Sequence, residues 1–279
     1  MEIKKVWFVT GASKGLGLTL VKRLLKEGHR VAATSRNEDD LRKMAGEPSS
    51  SFLPLQVDLV NEESVSKAIG KTIETFGHID VLVNNAGYGQ VGTLEELTDR
   101  EARQNFDINV FGTLNVIRSA MPHLRKQQSG LIFNIASVGA FTGDFAGWGI
   151  YCATKFAVAG LTESLAAEIK EFGLKATVVY PGYFRTNFLA TGSLSKPQNP
   201  MKEYTAARSV QQWHENEMNG NQQGDPEKAV LALIQIAEME NPPLHLFLGS
   251  DAYQTAESKL AALKDELVAF ESVTKSTDY

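Results

Sequence analysis

Seven short apolar runs alternate with longer amphipathic segments along this chain of 279 residues. Several runs are apolar at nearly every position, which is typical of parallel strands covered by helices on both faces. Strands that alternate with helices predict one α/β domain built on a doubly wound, parallel, seven-stranded sheet. The predicted strands are Val6–Thr10, Val31–Ser35, Phe52–Asp58, Val81–Asn84, Gly130–Ala136, Ala176–Tyr180 and Leu244–Leu248.

Several helix boundaries can also be predicted. Asn61 is a helix-capping residue, and Asp225 followed by Pro226 is a typical helix start. Thr98 and Glu101 have capping-box spacing and open a long helix that should bend near Pro122. The long helices predicted over 99–125 and 151–172 are also candidates for subunit packing.

A glycine-rich turn follows the first predicted strand and opens a helix. It reads Thr10-Gly11-Ala12-Ser13-Lys14-Gly15-Leu16-Gly17. Glycines allow a tight turn and close backbone approach to a pyrophosphate, which the free N–H groups of a helix N-terminus can bind. The turn therefore predicts a dinucleotide site in a Rossmann-like fold, although an ordinary strand-to-helix turn is the alternative.

The end of the second strand indicates which dinucleotide is bound. An NAD site usually has an acidic residue there to bond the ribose 2′-hydroxyl, whereas this chain has Ser35 and Arg36. A guanidinium can bind a 2′-phosphate through two donors, and Lys14 adds a second positive charge. We therefore predict NADP(H) as the cofactor. The alternative is that both cations are simply solvated.

Tyr151 and Lys155 are four residues apart on a predicted helix, so they share one face. A phenol has a pKa of about 10, which a nearby ammonium lowers toward the range useful for acid–base catalysis. The pair therefore predicts proton transfer, although alone it could equally be an exposed tyrosine and lysine.

Composition excludes several function classes. The net charge of −5 and the lack of a dense basic run argue against a nucleic-acid partner. The single cysteine, Cys152, excludes an internal disulfide and suits a reducing compartment. We see no membrane span, signal peptide or metal site, and predict a cytoplasmic protein.

Residues 187–224 interrupt the alternation of strands and helices. This segment is rich in Ser, Thr, Asn, Gln and Gly, and it follows a strand whose carboxyl end should face the crevice. Long loops inside compact domains are usually functional. We predict a substrate lid with short helices, and a solvated surface insertion is the alternative.

Together, these motifs resemble the short-chain dehydrogenase/reductase family in its conventional-length, NADP-preferring branch. The resemblance covers residues 1–250 as one Rossmann-fold domain, with 251–279 as a C-terminal helical extension that packs on the body or at a subunit contact. Ser137 lies 14 residues before Tyr151 (151 − 137), one more than the family pattern suggests. This insertion should alter the pocket rim and not the chemistry.

The resemblance implies particular roles for matching residues. It implies that Tyr151 is the general acid or base, that Lys155 lowers its pKa and binds the nicotinamide ribose, that Ser137 bonds the substrate oxygen, and that Asn109 holds a water in a proton relay. The implied cofactor-binding residues are Gly11, Ser13, Lys14, Gly15, Leu16, Gly17, Ser35, Arg36, Asp58, Leu59, Asn85, Ala86, Gly87, Tyr151, Lys155, Pro181, Gly182 and Thr186.

The implied activity is hydride transfer between a nicotinamide and a carbonyl or secondary alcohol, in a homodimer or homotetramer. Aromatic residues near the site predict an apolar or aromatic substrate, unless they belong to the core. They are Phe141, Phe145, Trp148, Tyr183, Phe184, Phe188 and Trp213. A non-catalytic NADP(H) sensor and an epimerase or dehydratase on the same fold are the alternatives.

Overall fold

A computed structural model describes residues 4–190 and 192–279. Residues 1–3, which open the predicted domain, and position 191, inside the predicted lid, lie outside the described residues. The strands are β1 (Val6–Val9), β2 (Arg30–Ser35), β3 (Phe52–Gln56), β4 (Val81–Asn84), β5 (Gly89–Gln90), β6 (Leu131–Ile135), β7 (Lys175–Pro181), β8 (Leu194–Ser195) and β9 (His245–Leu248).

The predicted doubly wound sheet is confirmed. Seven strands form one sheet in the order β3-β2-β1-β4-β6-β7-β9, and every pairing in it is parallel. The strand order reverses between β1 and β4, which is where ligands bind in folds of this kind. The fold is therefore a Rossmann-like α/β domain with its crevice at the carboxyl ends of these strands.

Helices cover both faces of the sheet, and alternate strand residues point to opposite faces. The helices are α1 (Gly15–Lys26), α2 (Glu38–Ala45), α3 (Glu62–Phe76), α4 (Asp99–Phe106), α5 (Gly112–Gln127), α6 (Gly149–Ile169), α7 (Thr205–Trp213), α8 (Pro226–Ala237), α9 (Ser250–Ala269) and α10 (Glu271–Lys275). Trp7 and Val9 pack with α1 and α8, whereas Val6 and Phe8 pack with α3, α5 and α6.

The predicted helix starts are confirmed. Asn61 accepts from the Ser64 N–H, and Asp225 accepts from the N–H of Glu227. Thr98 and Glu101 form the complete capping box. These local bonds satisfy N–H groups that otherwise have no partner in the first turn of a helix.

The structure differs from prediction in three places. The long helix predicted over 99–125 is divided by a π-helical turn at Asp107–Phe111, which precedes Pro122. The third strand ends at Gln56, so Asp58 lies in the following turn, where its carboxylate accepts from the Val60 N–H. A small parallel sheet, β5 with β8, joins the predicted lid to the loop after β4.

Candidate active site

The glycine turn is fastened to the neighbouring strand by hydrogen bonds. Asn85 Nδ2 donates to the carbonyls of Thr10 (2.9 Å) and Gly11 (3.0 Å). The Thr10 hydroxyl accepts from the backbone N–H groups of Asn85 (3.0 Å) and Ala86 (3.1 Å). The asparagine after β4 therefore holds the turn in place, and the turn and β4 form one rigid wall.

Close packing requires glycine at two positions of this turn. A Cβ at Gly11 would lie 2.7 Å from Ala86 Cα, and one at Gly17 would lie 2.5 Å from Asn85 Nδ2. Gly11 also has φ +65°, which L side chains rarely adopt. The turn keeps its shape only while these positions lack side chains.

A cavity of about 600 Å³ opens at the carboxyl ends of the strands and contains most of the predicted site. All of the predicted cofactor residues line it except Gly17, which lies behind the wall against Asn85. Ser137, Tyr151 and Lys155 also line it, whereas Asn109 lies behind Gly87. The site residues on different elements therefore converge on one space.

One end of the cavity is positively charged. Lys14 and Arg36 both line it, and burial, together with the charge of Arg36, lowers the pKa of Lys14. The Ser35 hydroxyl accepts from the Asn37 N–H at 3.1 Å, which fixes the chain just beyond β2. Lys14 Nζ also donates to the Gly192 carbonyl, so it joins the cofactor turn to the segment after β7.

The catalytic candidates meet at the other end. Tyr151 and Lys155 are buried on α6, where they are 7% and 5% exposed. Ser137 lies near the Tyr151 hydroxyl, and the Ser137 oxygen accepts from the Gly139 N–H at 3.1 Å. Lys155 Nζ donates to the Ile135 carbonyl at 2.9 Å. The extra residue before Tyr151 has therefore not separated Ser137 from it.

Burial controls the protonation of this pair. It raises the pKa of Tyr151 above its usual value, against a smaller lowering by nearby Ser137, and it lowers the pKa of Lys155 to about 8. Lys155 Nζ lies 5.8 Å from the centre of the Tyr151 ring and donates to the Ile135 carbonyl. The expected lowering of the Tyr151 pKa by Lys155 stays a prediction. Burial therefore favours the protonated form of the Tyr151 phenol.

Asn109 lies in the π-helical turn and is 1% exposed. Its side-chain oxygen accepts from the Tyr88 N–H (3.0 Å), and its nitrogen donates to the Tyr88 carbonyl (3.1 Å) and the Thr154 hydroxyl (3.0 Å). Its amide therefore fastens the loop after β4 to α6, close to Lys155. Single π-helical turns inside helices occur frequently at functional sites.

The predicted aromatic residues are only partly in the cavity. Phe145, Trp148, Tyr183, Phe184 and Phe188 line it. Trp148 and Phe188 place their ring centroids 5.5 Å and 5.9 Å from that of Tyr151. The other two lie elsewhere. Phe141 packs in the core against Tyr180 and Phe247, and Trp213 packs edge-on to Tyr183 without lining the cavity.

Comparisons with known proteins agree with this geometry. The family described as short chain dehydrogenase matches residues 5–196. The chain belongs to the short-chain dehydrogenase family.

Three similar proteins illustrate the relationship. A 3-ketodihydrosphingosine reductase from Bacteroides thetaiotaomicron is 34% identical over 247 residues, 88% of each chain. A short-chain dehydrogenase from Streptomyces avermitilis has a TM-score of 0.90 at 34% identity, covering 99% of this chain and 100% of that one. One from Burkholderia cenocepacia, in complex with NADP, has a TM-score of 0.74 at 26% identity, covering 96% and 98%. The chain is thus an oxidoreductase of this family.

Residues 187–224 form part of the cavity wall of this short-chain dehydrogenase. Phe188, Leu189, Leu194 and His214 line the cavity from this segment. Two buried carboxylates anchor the segment to the start of α4. Glu101 accepts from the Gln198 N–H (3.0 Å), and Glu96 accepts from the Met201 N–H (2.6 Å) and Arg208 (2.7 Å). The segment is therefore fastened at its middle.

His214 is a cavity residue that sequence reasoning missed. Its Nδ1 is 2.8 Å from the Val210 carbonyl, which can only accept, so Nδ1 carries the hydrogen. Its Nε2 then accepts from the Tyr183 hydroxyl at 2.8 Å. Burial lowers the pKa of His214 and so favours this neutral form. The bond joins the loop after β7 to the predicted lid.

Asp251 is a second missed residue. It lies in the first turn of α9, and its carboxylate accepts from the Tyr183 N–H at 2.7 Å. A Cβ at Gly182 would collide with the same carboxylate. The predicted Pro181-Gly182 turn is therefore held against the first turn of α9.

No helix in residues 4–190 and 192–279 is long and apolar enough to cross a bilayer.

Proposed function

We propose that this protein is an NADP(H)-dependent oxidoreductase that interconverts a carbonyl and a secondary alcohol. One observation carries the proposal. A single cavity contains the glycine turn and two cations at one end and Ser137, Tyr151 and Lys155 at the other. A dinucleotide is an extended ligand. When one end is bound at the glycine turn, the other end can reach the proton donor within the same cavity.

The residues at the charged end fit NADP(H). Arg36 just beyond β2 and Lys14 in the turn after β1 supply two positive charges, where a carboxylate would repel a 2′-phosphate. The α1 N-terminus supplies free N–H groups, and Gly11 leaves room that a Cβ would fill. The NADP bound to the Burkholderia cenocepacia relative supports the same assignment.

The proposed catalysis combines the cofactor with three side chains. The bound cofactor supplies or takes the hydride. Ser137 donates a hydrogen bond to the substrate oxygen and stabilises the charge that develops on it. Tyr151, protonated in its buried setting, gives its proton to that oxygen during reduction. The Lys155 ammonium stabilises the tyrosinate left behind, and Asn109 holds the surrounding backbone in place.

The walls around Tyr151 favour an apolar or aromatic substrate. Trp148 and Phe188 contribute rings beside the proton donor, and Leu189 and Leu194 extend the apolar surface. Burial of apolar substrate surface here contributes roughly 25 cal/mol per Å². A relative named as a 3-ketodihydrosphingosine reductase is consistent with a ketone as substrate.

The long helices also support the proposal of a homo-oligomer. Phe111, in the π-helical turn before α5, is 51% exposed, and Phe156 on α6 is 44% exposed. Large exposed aromatic residues are enriched at protein interfaces. We therefore include α5 and α6 in the proposed subunit contact.

A single titration series tests this function. Binding of NADPH and NADH is measured first by fluorescence, and a panel of ketones, aldehydes and quinones is then added with NADPH in the same cuvette. We expect tighter binding of NADPH and oxidation by at least one apolar carbonyl. Turnover of small charged sugars alone would contradict the substrate proposal.

The same series separates the alternatives. Tight NADPH binding without turnover across the panel would indicate a sensor. Conversion of a substrate without net NADPH consumption would indicate an epimerase or dehydratase. Equal affinity for NADPH and NADH would contradict the cofactor assignment and leave the oxidoreductase proposal standing.

A further inference from the structure

The C-terminal helix α9 leaves the body of the protein after its second turn. Within this fully described helix, Ala252 and Ala256 are buried, and every residue from Leu260 onward is exposed. Several of the exposed residues are large and apolar. Leu260 is 57% exposed, Leu263 45%, Leu267 66% and Phe270 62%. A helix with so little packing on its own body is marginal in water.

Most of the large apolar residues of α9 follow a heptad pattern, with Val268 outside it. Tyr253, Ala256, Leu260, Leu263 and Leu267 of α9, and Phe270 just after its end, are spaced alternately by three and four residues. This spacing places them in one stripe along the helix, as at the a and d positions of a coiled coil. The a positions are Tyr253, Leu260 and Leu267, and the d positions are Ala256, Leu263 and Phe270. The stripe continues from the buried Ala256 into solvent.

We propose that α9 pairs with α9 of a second copy of this chain in an antiparallel coiled coil. In such a pair each a residue packs against a d residue of the other helix. In one alignment Leu260 meets the partner's Leu263 and Leu263 meets the partner's Leu260, so exposed leucines form the two central layers. Tyr253 then lies opposite the partner's Phe270, whereas Leu267 ends opposite Ala256, which its own subunit already covers. The alignment is symmetric, as a two-fold dimer requires.

The charges beside the stripe favour this alignment. In an antiparallel pair, residues at g face g and residues at e face e. Lys259 then faces the partner's Glu266, and Glu257 faces the partner's Lys264. Both pairs occur twice by symmetry, and all four are attractive. Complementary charges at these positions set the choice of partner and its orientation.

A parallel pair would place like charges together. Each g residue would face an e residue of the next heptad, so that Lys259 would meet the partner's Lys264 and Glu266 would meet the partner's Glu271.

The segment from Glu257 to Lys275 carries three lysines and four carboxylates, so it has no excess of positive charge to attract an anionic membrane. The pattern thus favours a second copy in antiparallel orientation.

Two charge variants of the full-length protein test the pairing. K259E/K264E makes all four flanking positions acidic, and E257K/E266K makes all four basic. The proposed contact through α5 and α6 would join a copy other than the α9 partner, so each variant alone should have half the mass of the wild type in sedimentation and light scattering. An equimolar mixture should regain the wild-type mass because every pair becomes attractive again.

The matched control is K67E/K71E, which makes the same charge change on exposed positions of α3. It should keep the wild-type mass. Recovery of mass in the mixture also excludes misfolding of the two test variants. If both test variants keep the wild-type mass, or if their mixture does not exceed the mass of either, the proposal is wrong.

Crosslinking tests the orientation. Mixed L260C and L263C chains should form a disulfide between unlike chains faster than either forms one alone, and buried Cys152 should not compete. Faster crosslinking between like chains would indicate a parallel pair and overturn the alignment. Binding of the wild type to phosphatidylcholine vesicles, lost in L263E, would assign the stripe to a membrane and overturn the proposal.

Discussion

The two ends of the cavity are built in different ways. At the cofactor end the wall is mostly backbone, and its shape depends on positions such as Gly11 and Gly17 where no side chain fits. At the substrate end the wall is made of side chains such as Trp148 and Phe188, several from the segment after β7. A wall of backbone suits the cofactor, which does not vary, whereas a wall of side chains can differ from one substrate to another. Each prediction below probes one of these ends.

The largest effect is expected at the proton donor, which lies at the substrate end. Tyr151→Phe removes the hydroxyl that donates to the substrate oxygen, so turnover should fall by about 10²–10⁴-fold. Affinity for NADPH should stay close to the wild-type value, because the cofactor wall is unchanged. Steady-state kinetics and fluorescence titration measure both quantities. Tyr183→Phe is the control and should keep most of the activity; comparable turnover in the two variants would contradict the assigned role.

The next effect concerns the backbone wall. Gly17→Ala places a Cβ 2.5 Å from Asn85 Nδ2 and 2.6 Å from the Gly11 carbonyl oxygen. Overpacking of this kind costs about 1–3 kcal/mol in the free energy of unfolding. We expect a lower melting temperature and weaker NADPH binding, although Gly17 does not line the cavity.

Gly70→Ala is the control for this steric effect. Gly70 lies in α3, and a Cβ there would meet nothing within 4 Å. This variant should be more stable by about 0.5–1 kcal/mol, because alanine is favoured over glycine within helices. Equal melting temperatures for the two variants would show that the turn tolerates a side chain.

Cofactor preference is tested at the charged end. Arg36→Asp replaces a donor for the 2′-phosphate with a group that repels it, and a charged hydrogen bond contributes about 1.5–3 kcal/mol. The ratio of kcat/KM for NADPH to that for NADH should therefore fall by at least about tenfold. Lys43→Asp, on the exposed side of α2, is the control. An unchanged ratio in Arg36→Asp would refute the assignment.

The pH dependence should follow Lys155. Burial lowers its pKa to about 8, so its ammonium is charged below that pH and neutral above it. Since the charge stabilises the tyrosinate formed during reduction, kcat/KM should be constant below about pH 8 and fall about tenfold per unit above it. In Lys155→Met the rate should be low and lack this fall. The same fall in Lys155→Met would assign the titration to another group.

The lowered pKa of Lys155 should make the folded protein more stable over the same pH range in which activity falls. Lys155 has a lower pKa in the folded protein than its ordinary 10.5. Between about pH 8 and 10.5 the unfolded chain therefore binds more protons, and this group makes folding more favourable as pH rises. Activity should thus decline in a pH range where Lys155 does not destabilise the fold, and circular dichroism can separate the two.

The sequence predicted the backbone wall better than the side-chain wall. The strands, the glycine turn and the convergence of Tyr151 with Lys155 follow from local patterns, since hydrophobic period, glycine spacing and i,i+4 geometry act over a few residues. Local patterns could not show which of Phe141 and Phe145 faces the cavity. They are four residues apart in an irregular stretch, and only Phe145 faces the cavity.

Contacts between distant residues explain what was missed. Asp251 reaches Tyr183 across 68 positions, and His214 reaches it across 31. The pairing of β5 with β8 depends on a similar long-range contact. The burial that raises the Tyr151 pKa comes from the assembled cavity and not from Lys155. No local pattern encodes such features, so they emerge only when the fold brings the segments together.

The smallest effect is expected at the side-chain wall. His214→Phe removes the acceptor of the Tyr183 hydroxyl but keeps a ring of similar width against Trp148. A hydrogen bond of this kind contributes about 0.5–1.5 kcal/mol, so KM for an apolar carbonyl should change by roughly two- to tenfold. The dissociation constant for NADPH should not change. If His214→Phe weakens NADPH binding as much as Gly17→Ala does, the two ends are not independent and the comparison between them fails.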